Sequence, residues 1–476
     1  MEFLSYLKAG YPLLYVETFE EDRVISSLSS QSNGYKCYIW DIVDGLRACD
    51  GSSRREIDNP VEAISTIVSL PEESVLYVKD AHRFLEDLIL VRTIKNIIID
   101  CKSSSKHICL IAPILKVPIE LQKDITIIPF DLPSVEELCT TARRLMDDNG
   151  LDSAGLDLGI IGAAKGLTIN EAENAFARSL ITKKIYDRGI LEEEKLQAVK
   201  KSGLAEVWPA EAIANVGGLE PLKAYLRSRA KGFQDSRLPQ PRGILLAGLP
   251  GSGKSLVAKA AASVLGMPLI RLDLGTLKGS LVGESEANMR KATQLIDAIS
   301  PCVVWLDEIE KSLSGVQSSG KTDGGTGSNM FGQLLTWMQE STSKHYIVAT
   351  CNDMDELLSL SQGALIRRFD DIFFVDLPSE GERREIINIM IERYKANKFN
   401  AEIALQCMGG WTGAEIEKCV KNSLYDGMEK AIGNIRPISL MNRDKIQKAR
   451  EWARFNAIMA NEGEVEQGKG GRAIKI

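Results

Sequence analysis

The sequence predicts two successive α/β domains, each a parallel sheet followed by a helical segment, with a recognisable chemical motif in the second one alone. Three observations carry this. Short apolar runs alternate with helical patterns through both halves of the 476 residues, the arrangement that builds parallel sheets. A set of short matches recurs at nearly constant spacing. A glycine-rich loop ending in lysine stands between a strand and a helix in the second half.

In chain order, Leu13–Glu17, Lys36–Asp41, Val75–Lys79, Ile108–Ala112 and Ile125–Phe130 read as five strands. Gly243–Ala247, Leu269–Leu272, Val303–Leu306, Tyr346–Thr350 and Ile372–Val375 read as five more. Segments 134–200 and 379–460 are predicted helical, with apolar positions at three-to-four spacing such as Ile386, Ile389, Met390 and Tyr394. Each opens on Leu-Pro-Ser followed by acids (Glu136 and Glu137; Glu380 and Glu382), the composition of a helix N-terminus.

Phe130–Ser134 matches Val375–Ser379 at an offset of 245, while Gly166–Glu173 matches Gly410–Glu417 and Ser179-Leu180 matches Ser423-Leu424 at 244. Val75–Asp80 parallels Val303–Glu308 at 228. A loop insertion around 312–328 accounts for the difference. The first half therefore reads as a degenerate copy of the second. The expected organisation is 1–133, an α/β domain; 134–200, a helical segment; 201–241, a linker that includes a segment beside the nucleotide site; 242–378, the α/β core; 379–460, a helical lid; and 461–476, a polar tail without fixed structure.

Composition is ordinary for a globular protein, 44% hydrophobic and 26% charged. The net charge of −7 and the lack of a basic stripe argue against nucleic acid as a partner. Nine cysteines without a CxxC pair, beside three histidines, argue against structural zinc and for a reducing compartment. No run approaches the roughly 18 apolar residues of a membrane span, and Met-Glu-Phe-Leu-Ser-Tyr is no secretory signal. A soluble protein of the cytoplasm or plastid stroma is expected.

Gly248-Leu-Pro250-Gly251-Ser252-Gly253-Lys254-Ser255 fits G-x-x-x-x-G-K-[ST], after a strand and before the helix that begins at Leu256. Glycines let successive N–H groups face phosphates, and the helix N-terminus adds its dipole. Lys254 would neutralise the β- and γ-phosphates of ATP, and Ser255 would ligate Mg²⁺. Cys302–Glu308 is an apolar strand ending in two acids. Asp307 would join the Mg²⁺ shell and Glu308 would polarise the attacking water. Asn352, at the end of Tyr346–Asn352, would orient that water. Arg367 or Arg368, before the last strand, would reach a neighbouring subunit's γ-phosphate.

These four elements in this order resemble the AAA family of ATPases over 207–435. Ile213–Leu219 looks like the family's adenine-side segment, which assigns Val216 and Gly217 to the nucleotide. Leu281–Arg290 resembles the central-pore loop and following helix of valosin-containing protein and katanin, with Leu281, Val282 and Gly283 as pore residues. Thr412-Gly413-Ala414-Glu415 matches the start of the lid helix, which assigns Gly413 and Ala414 to nucleotide as well. Pro241–Gly248, Pro301–Lys311 and Phe331–Glu340 look, more narrowly, like the hypothetical chloroplast reading frame forty-six family of cyanobacteria and red-algal plastids. Two departures stand out. Substrate-threading members usually carry an aromatic residue where this chain has Ser280 or Leu281, and Arg367-Arg368 lacks the Pro-Gly spacer of many relatives.

The repeat places Glu17–Val24 where the phosphate loop should be, without a glycine and with three more acids, so triphosphate would be repelled. Lys79-Asp80 stands for Asp307-Glu308, and Gln122-Lys123 for the arginine pair. The resemblance implies a homo-oligomeric, hexameric, ATPase that remodels a protein partner engaged through residues 1–200 and the pore. The alternatives are a slow nucleotide switch whose first half recruits a partner and, third, a nucleic-acid loader, for which Arg227, Arg229 and Lys231 would be the contacts.

Overall fold

The apolar runs of both halves become parallel strands of two sheets in the computed structural model, which describes every residue except 1–2, 33, 153–155, 236, 278–283, 312–325, 362 and 463–476. The chain divides into two compact units, Met1–Arg188 and Gly189–Ile476. In the first unit the strands are Leu13–Glu17 (β1), Lys36–Asp41 (β2), Gly45–Ala48 (β3), Arg54–Arg55 (β4), Ser74–Val78 (β5), Lys106–Ala112 (β6) and Ile125–Ile128 (β7). In the second they are Glu206–Trp208 (β8), Gly243–Gly248 (β9), Leu269–Arg271 (β10), Cys302–Leu306 (β11), His345–Cys351 (β12), Asp371–Val375 (β13) and Ile458–Met459 (β14).

The two sheets run β4-β3-β2-β5-β6-β1-β7 and β14-β13-β9-β12-β11-β10-β8. Apart from the added strands β3, β4, β8 and β14, each has five parallel strands. Numbered within its own five, each sheet reads second, third, fourth, first, fifth. The match extends to single residues, because β5 and β11 begin and end at an offset of 228. Every residue of β5, β6, β9, β11 and β12 is buried, as strands covered on both faces require. In the first unit, one face packs Val24, Ile25 and Leu28 of the helix Glu21–Gln31. The other packs Ile94 and Ile98 of the helix Leu88–Ser103.

The helical segments also agree in detail. Ser134 and Glu137 form a capping box at the helix Val135–Asp148, and Ser379 and Glu382 form one at Glu380–Tyr394. Thr168 with Glu171 and Thr412 with Glu415 do the same at Ile169–Lys183 and Gly413–Asp426. Each box satisfies two end groups that the helix itself leaves unpaired.

Three segments differ from expectation. The helical segment 134–200 is split, because the second unit begins at Gly189 and the helix Arg188–Ser202 buries Val199 in that unit's core. Within 201–241, read as a linker, β8 pairs antiparallel with β10, and the helix Glu220–Gln234 buries Leu222 and Leu226 against the second sheet. The sequence predicts a lid reaching 460, yet its apolar cluster runs from Ile386 to Ile435. The last helix, Arg443–Asn456, instead packs Ala453 against Ala247 and Phe374, and β14 extends the sheet beside β13. No helix among the described residues is long and apolar enough to cross a membrane.

Candidate nucleotide site

The loop between β9 and the helix Lys254–Leu265 takes its shape from glycine. Gly251 at φ +79° and Gly253 at φ +103° adopt backbone that a side chain would strain, and a Cβ on Gly251 would lie 3.1 Å from that of Ala414. Ala414 N–H donates to Gly251 O at 3.1 Å, so the lid helix begins on the loop itself. Lys254 is 6% exposed, and its ammonium donates to Gly248 O at 2.8 Å and Leu249 O at 2.7 Å. Burial pushes its pKa down to about 8, against the pull of Cys351, Glu310, Asp307 and Glu308. The Ser252 hydroxyl is buried without a partner among the described residues.

The ends of β11 and β12 bring the acids to this loop. Asp307 Oδ1 accepts from Ser255 Oγ at 3.2 Å and from Thr350 Oγ1 at 2.7 Å. Glu308 sits in the left-handed region, φ +46°, with its N–H donating to Thr350 Oγ1 at 2.9 Å. Its carboxylate accepts from Asn352 Nδ2 at 2.8 Å and pairs with Lys311 at 2.7 Å. Asn352 N–H in turn donates to Glu310 Oε1 at 3.0 Å. Glu310 is 1% exposed, its other oxygen has no partner among the described residues, and burial raises its pKa. Thr350 and Glu310 escaped the sequence analysis. The available signal was a hydroxyl inside an apolar strand and a third acid after Asp307-Glu308.

A cavity of about 300 Å³ joins these groups. Val216, Gly217, residues 250–256, Asp307, Glu308, Asn352, Gly413 and Ala414 line it, together with Asn215, Ile386, Arg393 and Glu417, which were not predicted. Gly217 packs on the lid helix so closely that a Cβ would meet Ile386 N at 2.9 Å. Arg393 pairs with Glu211 at 2.9 Å. Gly248 stands behind the cavity, holding Lys254. Arg367 and Arg368 lie on the short helix Ile366–Arg368, apart from the lining, and Arg367 is exposed. Leu281, Val282 and Gly283 fall outside the described residues.

The glycine cradle, the buried lysine and the orphaned Ser252 hydroxyl suit a polyphosphate. Ser255 and Asp307 offer Mg²⁺ two hard oxygen donors.

The corresponding corner of the first unit has the opposite chemistry. Only Thr18–Glu20 separates β1 from its helix, and Glu20 is 7% exposed. Its carboxylate accepts from Ile169 N–H at 2.6 Å and from Arg23 at 2.8 Å. Arg23 also donates to both oxygens of Glu137 at 3.1 Å and to Asp131 O at 2.8 Å. Lys79 binds Asp22 at 2.8 Å and Glu21 at 3.4 Å. Asp80, like Glu308, is left-handed, φ +52°.

Residues 1–130 match the model of the SpoVK-like AAA ATPase N-terminal domain, and residues 244–377 that of the ATPase family associated with various cellular activities. The AAA domain-containing protein ycf46 of Pyropia yezoensis is 34% identical over 94% of this chain and 96% of its own. That of Trieres chinensis is 33% identical over 95% and 96%. Protein SAV of Sulfolobus acidocaldarius is 28% identical over 67% of this chain and 44% of its own.

Proposed function

The chain belongs to the AAA ATPase family, among the ycf46 AAA domain-containing proteins, and from that premise we propose that it is a Mg²⁺-dependent ATPase working as a homo-hexameric ring to remodel a protein partner. The observation that carries this reading is the meeting of Ser255, Asp307, Glu308 and Asn352 around one glycine cradle.

In this reading Lys254 gives up its carbonyl partners to bind the β- and γ-phosphates, while the loop N–H groups and the helix N-terminus hold the rest of the triphosphate. Val216, Gly217, Gly413 and Ala414 take the nucleoside side. Ser255 and Asp307 would hold Mg²⁺, which supplies charge neutralisation at the phosphates. Thr350 keeps Asp307 in place by donating to it. Glu308 accepts a proton from the attacking water, and Asn352, already bonded to Glu308, orients both. Arg367 or Arg368 acts in trans on a neighbour's triphosphate, a role that favours the ring. Leu281, Val282 and Gly283 line the pore, and residues 1–200 engage the partner.

The test is the solution mass of Glu308→Gln with and without ATP and Mg²⁺. Assembly from one chain to about six on adding nucleotide is the expected result. A protein that binds ATP and stays monomeric overturns the ring and leaves the nucleotide switch.

A further inference from the structure

We propose that Cys37 and Cys49 are a redox-active dithiol that closes to a disulfide across the β2–β3 hairpin and reopens under reducing conditions. The pair is invisible in the sequence, where the two cysteines have no CxxC spacing, but strand register brings them together. Tyr38 pairs with Ala48 and Ile39 with Arg47, which makes Cys37 and Cys49 the next opposed pair. Cys49 N–H donates to Cys37 O at 2.9 Å. In an antiparallel ladder such a hydrogen-bonded pair has Cα atoms about 5.5 Å apart, inside the roughly 4.4–6.8 Å that a disulfide spans. Opposed residues also project from the same face.

The Cys37 thiol donates to Tyr35 O at 3.9 Å. Cys49 Sγ lies 4.0 Å from Ser29 Oγ on the helix Glu21–Gln31. Cys49 is exposed and opens the turn before β4, so it has room to rotate, whereas Cys37 is half-buried. The Cys49 thiol holds Cys37 at about 6, and the Ser29, Tyr77 and Ser32 hydroxyls add to this against the effect of burial. Tyr77 Oη, buried near Cys37, has no hydrogen-bond partner among the described residues. Cys37 is thus the nucleophile and Cys49 the resolving thiol. Of the other seven cysteines, Cys407 is exposed and the rest are buried.

The oxidant is a small-molecule disulfide such as glutathione disulfide. The Cys37 thiolate attacks one of its sulfurs, breaking the S–S bond, releasing one glutathione thiolate and leaving a mixed disulfide. Cys49 then loses its proton to water and attacks the Cys37 sulfur, forming the protein disulfide and expelling the second glutathione thiolate. The two cysteines are oxidised by two electrons, glutathione disulfide is reduced, and both released thiolates take up protons. Excess reduced glutathione runs the sequence backwards.

The experiment equilibrates the full chain in glutathione buffers of graded oxidation, quenches with acid, alkylates and maps peptides by mass spectrometry. We expect a cross-linked peptide pair containing Cys37 and Cys49 that grows with oxidation and disappears with dithiothreitol. Cys49→Ser, which lacks the resolving thiol, should leave glutathione held on Cys37 as a stable mixed disulfide that dithiothreitol removes. Two outcomes overturn the proposal: both cysteines alkylatable in the oxidising buffer while Cys407 is modified, or separate glutathiones on Cys37 and Cys49 of the unmutated chain. The cross-link is read in the unmutated protein, so a misfolded variant would not obscure it.

Discussion

The phosphate corner of the second unit and its counterpart in the first share backbone and differ in charge. In both, five parallel strands run in the same order and the third ends in a left-handed acid, Glu308 or Asp80. The lid helix in each begins with a threonine–glutamate capping box. At the second helical position, Ser255 meets Asp307 in one unit, whereas Asp22 meets Lys79 in the other. In the first turn of one lid helix Ala414 N–H donates to the glycine loop, and in the first turn of the other Ile169 N–H, one position earlier, donates to the Glu20 carboxylate. A helix N-terminus welcomes negative charge, from phosphate or carboxylate alike. The first unit has built the anion into its own chain, so its lid is anchored without a ligand. The backbone therefore outlasts the chemistry, and a handful of side chains decides whether the corner hydrolyses ATP or only holds itself together.

The comparison would break most visibly at the acids. Glu308→Gln should lower ATP turnover by about 10²- to 10⁴-fold while nucleotide still binds, whereas Asp80→Asn should leave turnover unchanged. A steady-state ATPase assay with a parallel binding titration reads both. Undiminished turnover in Glu308→Gln would remove its assignment as the base. Lys254→Ala comes next. Losing charge-assisted bonds to two phosphates should weaken ATP binding by roughly 100-fold, about 3 kcal/mol, and Lys79→Ala should change nothing. A fluorescent-nucleotide titration showing equal loss in both variants would mean that the first unit also handles nucleotide.

Much of this was legible before any coordinates. The ten strands of the two five-stranded sets and both helical segments were readable because strands carry apolar runs, continuous where both faces are buried, and caps need fixed residues. Residues 248–256 were readable because the loop's geometry admits little besides glycine at Gly251 and Gly253. Strand order was not, since ladder partners carry no local signature. The strands β4 and β14, two residues each, are too short for any period. Nor could Arg23 be matched to Glu137, 114 residues away, or Glu20 to Ile169, 149 away. For those residues the sequence predicted repulsion of triphosphate, and the structure adds what the charge does instead.

The smallest expected effect tests that addition directly. Glu20→Ala leaves Ile169 N–H without its acceptor and removes one carboxylate from Arg23, which keeps Glu137 and Asp131 O. Loss of a buried charged acceptor should destabilise the lid anchor by about 1–3 kcal/mol. Hydrogen exchange read peptide by peptide would then show faster exchange over 168–173, with 412–417 unaltered. ATP supplies the complementary half of the experiment. It should slow exchange over 412–417, where the anion is a ligand, and leave 168–173 untouched, where the anion is Glu20. If ATP protected both segments equally in the unmutated chain, the resident carboxylate would not be the substitute for phosphate that the geometry makes it.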